Sequence, residues 1–158
     1  MSNYELLWDA YWEGIEDFKK ALGTVSDVAK SKNDWDEYES IIVSVSGASS
    51  DYQLDALKAL IEKGADINET CDDSSPLHEA SHECDSNVVS WLIEHGADFN
   101  LDLGDGYRPV IAAIRSDNAE TLKTLIDAGA DLNFTYFDDT PAAVADNKDS
   151  PECLKVLS

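Results

Sequence analysis

The chain has 158 residues, of which 43% are hydrophobic and 28% charged, a composition typical of one folded domain. Eleven basic and 33 acidic residues give a formal net charge of −22. Because contacts to phosphates and anionic lipids need clustered Lys and Arg, this charge excludes direct binding to nucleic acid and to an anionic membrane surface.

The N-terminus and the cysteines indicate the cellular compartment of the protein. The N-terminus has neither the basic segment nor the apolar run of a secretory signal, and no apolar run approaches the roughly 18 residues of a membrane span. Cys71, Cys84 and Cys153 are odd in number and scattered, which argues against a disulfide framework. We therefore expect a cytoplasmic protein that does not enter a membrane.

Residues 1–38 are expected to form an N-terminal helical cap. Ser2 and Glu5 match a capping box, and apolar residues then follow at helical spacing along one helix over residues 4–22. A shorter helical piece is expected over residues 25–30. The aromatic members of the stripe are Tyr4, Trp8, Tyr11, Trp12 and Phe18. We expect them to bury against the next structural element and cap it, and a partner-binding aromatic helix is the alternative.

A five-residue phrase, Gly-Ala-Asp-x-Asn, occurs three times in the chain. The copies begin at Gly64, Gly96 and Gly129, with spacings of 32 and 33 residues. An apolar run at helical spacing precedes each copy, and a phrase that contains a proline follows each copy. A fixed period near 33 residues with this punctuation predicts a stacked array of helical repeats, an architecture that serves mainly as a binding scaffold.

The repeat phase predicts two helices in each repeat. The segment 41–45 alternates like a strand, but its position in the phase predicts a helix, followed by a second helix over residues 54–63. The later helices are expected at 76–84, 86–94, 109–116 and 119–127, from Pro141, and from Pro151 with Ser150 as N-cap. The chain stops at Ser158 before another copy of the phrase, so a C-terminal capping helix and a longer natural chain both remain open.

The repeats resemble a known family. The phrase Ser-Pro-Leu-His-x-Ala at Ser75, a second amphipathic helix and Leu-Ile-x-x-Gly-Ala-Asp-x-Asn are together similar to the ankyrin repeat, over roughly residues 40–158. The resemblance implies an all-α solenoid of about four helix-turn-helix repeats, with short inter-repeat loops or hairpins. It also implies that partners bind the hairpin tips and the concave first-helix face. The expected domain is 39–158, with repeats at approximately 39–68, 69–100, 101–133 and 134–158.

His78 and His82 form a literal H-E-x-x-H sequence, the signature of zinc proteases. The ankyrin resemblance instead gives His78 a hydrogen bond that braces a turn. A catalytic zinc also needs a third protein ligand and an open position, and no protease pattern supplies the ligand. Zinc binding through His78 and His82 is kept as a remote alternative, as is adventitious metal binding at His82 and Cys84.

Catalytic arrangements are missing from the sequence. None of the cysteines is accompanied by a His and a third orienting group in a recognisable nucleophilic arrangement. The glycines stand singly at helix ends and do not form a glycine-rich phosphate loop. We therefore expect no enzyme activity and no cofactor.

The inter-repeat loops carry the candidate binding residues. Loop one (66–75), loop two (98–108) and loop three (131–140) contain ten acidic residues and one basic residue, Arg108. Asp66, Asp98 and Asp131 are expected to hydrogen-bond turn backbone, which leaves seven carboxylates for a partner. We expect Phe134 to fold over the core and Tyr136 to project with Phe137. The candidate partner-binding residues are Glu69, Asp72, Asp73, Glu79, Glu83, Asp102, Asp105, Tyr107, Tyr136, Phe137, Asp138 and Asp139.

The leading functional hypothesis is an acidic inhibitor that blocks a protein with a basic surface, such as a toxin or a nucleic-acid-binding enzyme. Small acidic proteins of this kind resemble bacterial immunity proteins. The alternative is a generic ankyrin adaptor whose charge serves solubility. In either case we expect a monomer that acts within a heterocomplex.

Overall fold

A computed structural model describes residues 2–29, 31–32, 38–83 and 86–158. They form two compact units, Met1–Pro76 and Leu77–Ser158. The regular secondary structure of the described residues is helical apart from one antiparallel pair of two-residue strands, β1 (Ser31–Lys32) and β2 (Tyr38–Glu39), and single bridges in loops one and three. This confirms the predicted all-α repeat class, whereas the boundary at residue 38 stays a prediction.

The N-terminal segment forms two helices where the sequence predicted one. Helix α1 covers Asn3–Glu13 and helix α2 covers Ile15–Thr24. Gly14 separates them with φ 138° and ψ 168°, a conformation that glycine adopts without steric cost. The predicted single helix is therefore wrong at Gly14, because the aromatic spacing continues across the break. The predicted helical piece after α2 is also absent from residues 25–29, and Lys30 lies outside the described residues.

Aromatic side chains join α1 to the first repeat. The hydroxyl groups of Tyr4 and Ser44 are 3.1 Å apart, and that of Tyr52 donates to the Tyr11 carbonyl. Tyr11 and Phe18 are fully buried, with their rings edge to face at 5.8 Å. Trp12, by contrast, is 56% exposed, so only part of the predicted stripe is buried.

The first repeat consists of α3 (Ile41–Gly47) and α4 (Gln53–Glu62). The repeat phase therefore predicted α3 correctly against its strand-like alternation, and Ile42 and Val45 are fully buried. The buried amide of Gln53 closes the repeat, since its Nε2 donates to the carbonyls of Val45 and Ser46 at 2.9 Å each. These two bonds tie the start of α4 to the end of α3, where the Val45 carbonyl also accepts a hydrogen bond from the Ala48 N–H at 3.2 Å.

The second unit contains the remaining helices, all within about one residue of their predicted bounds. They are α5 (Pro76–Glu83, which begins at the unit boundary), α6 (Ser86–Glu94), α7 (Pro109–Arg115), α8 (Ala119–Asp127), α9 (Pro141–Asn147) and α10 (Pro151–Leu157). Helix α7 packs against α8 and α9, and α8 packs against α6 and α10. Fully buried Ile111, Ile114, Leu122 and Leu125 form the centre of this packing. None of the helices in the described ranges is long and apolar enough to cross a membrane.

Polar bonds between successive repeats set the position of α10. Ser150 is its N-cap residue as predicted, but the Ser150 hydroxyl donates to the Ile114 carbonyl instead of capping the helix. The carboxylate of Asp117 accepts hydrogen bonds from the backbone N–H groups of Glu152 and Cys153, at 3.1 and 3.0 Å. The cap of the last helix is therefore supplied by the preceding repeat.

Candidate functional site

The aspartates of the repeated phrase are structural, as predicted. One carboxylate oxygen of each accepts a hydrogen bond from the backbone N–H two residues later, at 2.8–2.9 Å. The pairs are Asp66 with Asn68, Asp98 with Asn100, and Asp131 with Asn133. Such local bonds fix the turn after each second helix, and they separate these carboxylates from those nearer the loop tips.

Loop one ends in a two-residue hairpin. The backbones of Cys71 and Ser74 exchange two hydrogen bonds of 2.9 Å, and the two residues between them have positive φ values. These are Asp72, at 49°, and Asp73, at 56°, both of them exposed. Positive φ at both central positions is the geometry of a tight hairpin turn, which fits Asp better than most residues. Glu69, in the same loop, is half-buried.

Loop two is organised by one carboxylate. Asp102 Oδ1 accepts from the backbone N–H groups of Gly104 and Gly106, at 2.9 and 3.2 Å, and Asp102 Oδ2 lies 3.4 Å from Arg108 Nε. Asp102 is therefore engaged inside its own loop, although the sequence assigned it to a partner. Asp105 stands at the tip of the loop, exposed, with φ 52°.

Loop three presents an aromatic ring at its tip. Tyr136 and Asp139 exchange backbone hydrogen bonds of 2.8 and 3.0 Å around Phe137 and Asp138, whose φ values are 48° and 71°. Positive φ is uncommon for a bulky residue such as Phe. The Phe137 side chain is nevertheless 67% exposed, so burial of the ring does not offset this backbone strain.

The backbones of loops two and three are in direct contact. The N–H of Phe137 donates to the carbonyl of Asp105 at 3.2 Å. A Cβ atom built on Gly106 would lie 1.8 Å from the carbonyl oxygen of Thr135, so only glycine fits at that position. This contact places the tip residues of the two loops side by side.

His78 supports loop two through a hydrogen bond to its backbone. Its Nε2 lies 3.1 Å from the carbonyl oxygen of Tyr107, and the side chain is almost fully buried. Burial lowers the pKa of His78 to about 4, against a smaller opposing effect of the hydrogen bond to Tyr107. The imidazole is therefore neutral at pH 7, and its Nε2–H is the donor.

The same geometry removes the basis for a zinc site at the H-E-x-x-H sequence. The Nε2 of His78 is occupied by the Tyr107 carbonyl, and the exposed His82 pairs with Glu83, with 2.6 Å between Nδ1 and Oε1. In the described ranges no three His, Cys, Asp or Glu side chains converge as metal ligands. Cys84 lies outside the described residues.

A continuous row of rings rises from His78 to the loop tips. The ring centroids are 5.1 Å apart for His78 and Tyr107, 5.9 Å for Tyr107 and Tyr136, and 4.7 Å for Tyr136 and Phe137. Tyr107 and Tyr136 are half-buried, so the expectation of a projecting ring holds for Phe137 and not for Tyr136. We call the group Asp105, Tyr107, Tyr136, Phe137 and Asp138 the aromatic hairpin patch.

Two arginines lie over aromatic rings of these loops. The guanidinium of Arg108 lies 4.4 Å from the centroid of Phe134, with Asp102 and Asp131 each 3.4 Å away. The guanidinium of Arg115 lies 5.6 Å from the Tyr107 centroid. Arg108 could have been singled out from the sequence, because it is the one basic residue among ten acidic residues in the loops. Arg115 lies outside the loops, and nothing in the sequence points to its contact with Tyr107.

The remaining candidate residues have different surroundings. Asp139 accepts a hydrogen bond from Asn147 Nδ2 at 3.0 Å, Glu79 is half-buried on α5, and Glu83 holds His82. The structure thus brings five of the twelve candidates together in the aromatic hairpin patch. A role for any of the twelve in partner binding stays a prediction.

Comparison with known proteins gives a consistent result. The family model for ankyrin repeats, in three copies, matches residues 43–136. Ankyrin repeat domain-containing protein 37 from Bos taurus is 30% identical over 109 residues, covering 67% of this chain and 69% of that protein.

Two further relatives are much longer than this chain. BCL-6 corepressor-like protein 1 from Homo sapiens is 40% identical over 70 residues, which is 44% of this chain and 4% of that protein. Alpha-latroinsectotoxin-Lt1a from Latrodectus tredecimguttatus is 33% identical over 98 residues, 61% of this chain and 7% of that protein. The chain therefore spans only a small part of these two relatives.

The contact between loops two and three predicts the effect of adding one methyl group. Gly106→Ala places Cβ against the Thr135 carbonyl, whereas Gly104→Ala, also at positive φ (122°), has open space around its Cβ. We expect Gly106→Ala to lower the free energy of unfolding by at least about 2 kcal/mol more than Gly104→Ala, measured by urea denaturation. Equal losses in the two variants would contradict the close contact.

Burial of neutral His78 predicts a pH dependence of stability. The folded pKa, about 4, lies below the unfolded value of 6.5, so the unfolded chain binds a proton first as the pH falls. His78 therefore favours folding fully above pH 6.5 and loses this contribution between pH 6.5 and 4, by up to about 3 kcal/mol. The stability difference between wild type and His78→Gln, measured by denaturation at each pH, should shrink over this range. A constant difference would contradict the neutral buried state.

Proposed function

Because this chain belongs to the ankyrin repeat family, a family of protein-interaction modules, we propose that it is a non-catalytic adaptor that engages a protein partner through the aromatic hairpin patch. The proposal places the partner at the tips of loops two and three. It assigns the buried His78 and the turn aspartates to support of the site and not to contact with the partner.

The exposed ring of Phe137 is the observation that carries this proposal. A large apolar side chain at 67% exposure, on a backbone with positive φ, adds little to the stability of the isolated chain. An exposed aromatic ring beside polar groups is the kind of residue that dominates binding energy in protein interfaces. Support also comes from the paired loops, because a rigid surface loses little conformational entropy on binding.

Inhibition of a basic partner is the second candidate function. It is supported by the net charge of −22 and by exposed carboxylates at the loop tips, among them Asp72, Asp73, Asp105 and Asp138. Long-range attraction would then accelerate association with a basic protein such as a toxin or a nucleic-acid-binding enzyme. This candidate adds to the adaptor proposal the requirement that the partner be basic and be blocked by the complex.

We also propose that the protein acts in the cytoplasm, as a monomer within its complex. Support comes from Cys153, which is buried as a free thiol, a state that a reducing compartment maintains. Surface carboxylates spread along the chain repel a second copy, which favours the monomer.

Two matched alanine variants test the proposed site. Phe137 and Trp12 are the exposed large apolar residues of the described chain, at 67% and 56%, and Trp12 lies on α1. In affinity capture from the native cell, followed by measurement of binding to the captured partner, we expect Phe137→Ala to weaken binding by about 2 kcal/mol or more and Trp12→Ala to change it little. The reverse order would overturn the proposal and favour the alternative of a partner-binding N-terminal helix.

The same purified partner separates the two candidate functions. If the protein inhibits a basic partner, the association rate should fall steeply as the salt concentration rises, since salt screens charge–charge attraction beyond about 8–10 Å. It also predicts that the partner loses its own activity in the complex. A salt-independent association rate with an active partner would remove the inhibitor candidate and leave the adaptor.

A further inference from the structure

The loops contain an arginine site whose occupant belongs to the chain itself. Arg108 lies over the Phe134 ring at 4.4 Å, between the carboxylates of Asp102 and Asp131 at 3.4 Å each, and its side chain is only 20% exposed. A planar guanidinium suits this setting because it can stack on a ring while the N–H groups in its own plane point at carboxylates.

The aromatic hairpin patch repeats that chemistry at the outer surface. The Phe137 ring stands at the tip of loop three, Asp138 follows it directly, and the Phe137 N–H bonds to the Asp105 carbonyl at 3.2 Å. Asp105, which supplies the carbonyl of this hydrogen bond, and Asp138, which follows the donor residue, are both exposed. The aromatic hairpin patch therefore has the same kinds of group that surround Arg108, namely one ring and two carboxylates.

The arginines near these loops contact rings other than Phe137. Arg108 covers Phe134 and Arg115 covers Tyr107, whereas within the described part of the chain no cationic side chain lies over Phe137 or pairs with Asp105 or Asp138. The patch therefore has an apolar face and two negative charges but no positive charge of its own. Charge complementarity selects a cation as the group that would occupy it.

We propose that the aromatic hairpin patch binds an arginine side chain of a partner protein, with the guanidinium stacked on Phe137 between Asp105 and Asp138. The proposal rests on the proposed function, since it names the chemistry of the partner at the same site. Arginine is preferred over lysine because only the planar guanidinium combines stacking with paired hydrogen bonds to carboxylates.

The test is an NMR titration of the full chain with three blocked peptides that differ at one position. The probes are Gly-Ser-Arg-Ser-Gly, the same peptide with lysine, and the same peptide with citrulline, the neutral isostere of arginine. We expect shift changes at the amides of residues 103–108 and 134–139, and upfield ring-current shifts of the arginine side-chain protons. The affinity for the arginine peptide should exceed that for the lysine peptide by about threefold or more.

Matched variants separate stacking from general attraction by an acidic protein. Phe137→Leu keeps apolar bulk but removes the aromatic face, and it should lower the affinity for the arginine peptide by about fivefold. The pair Asp105→Asn with Asp138→Asn should weaken binding more than the pair Asp9→Asn with Glu13→Gln, which removes the same charge from exposed residues of α1.

Three outcomes would overturn the inference. They are equal affinities for the arginine and lysine peptides, an unchanged affinity in Phe137→Leu, and equal losses in the two charge-neutralised pairs. A further outcome separates this inference from the proposed function. If Phe137→Ala loses the native partner while the wild type shows no preference for the arginine peptide, the adaptor site stands and the arginine proposal fails. If Phe137→Ala keeps the native partner, the proposed site itself fails.

Discussion

A hydrogen bond from a buried histidine supports the base of the candidate site. The neutral imidazole of His78, on the first helix of its repeat, donates to the carbonyl of Tyr107 in loop two. Losing this bond would cost stability because His78 is almost fully buried, whereas the Tyr107 carbonyl would keep the hydrogen bond that it also accepts from the Leu103 N–H at 3.0 Å. Tyr107 is held at the base of the ring row, and Tyr136 and Phe137 follow it outward. The position of the exposed ring thus depends on a histidine that never touches the surface.

The acidic composition is balanced locally where the fold requires it. Arg108 pairs with Asp102 and Asp131 in the loops, and Lys123 and Lys155 pair with acids along α8 and α10. Exposed helical ion pairs contribute little to stability, so their main effect is to reduce repulsion on the helix surface. The loop tips lack such compensation in the described residues. Partner binding is then the event that would neutralise them, which connects the charge of the chain to its proposed function.

The repeat phase was sufficient to predict most of the fold. It placed α3 correctly against a strand-like alternation, because packing against α1 and α4 stabilises this short apolar segment as a helix. It could not predict the break at Gly14, since the aromatic spacing is the same on either side of the break. The roles of Asp102 and Arg108 were also beyond the sequence, because both depend on how a loop folds back on itself. At the tip of loop three the exposed ring of Phe137 was predicted correctly, whereas the half-buried ring of Tyr136 was predicted to project.

The central claim is that partners bind a preformed surface on loops two and three. Hydrogen–deuterium exchange of the full chain, alone and bound to its native partner, tests it most directly. The account predicts slow exchange at the paired amides of Tyr107, Phe137 and Asp139 in the free protein, with added protection on binding confined mainly to residues 103–108 and 134–139. Protection concentrated in α1, with loops two and three unchanged, would contradict it.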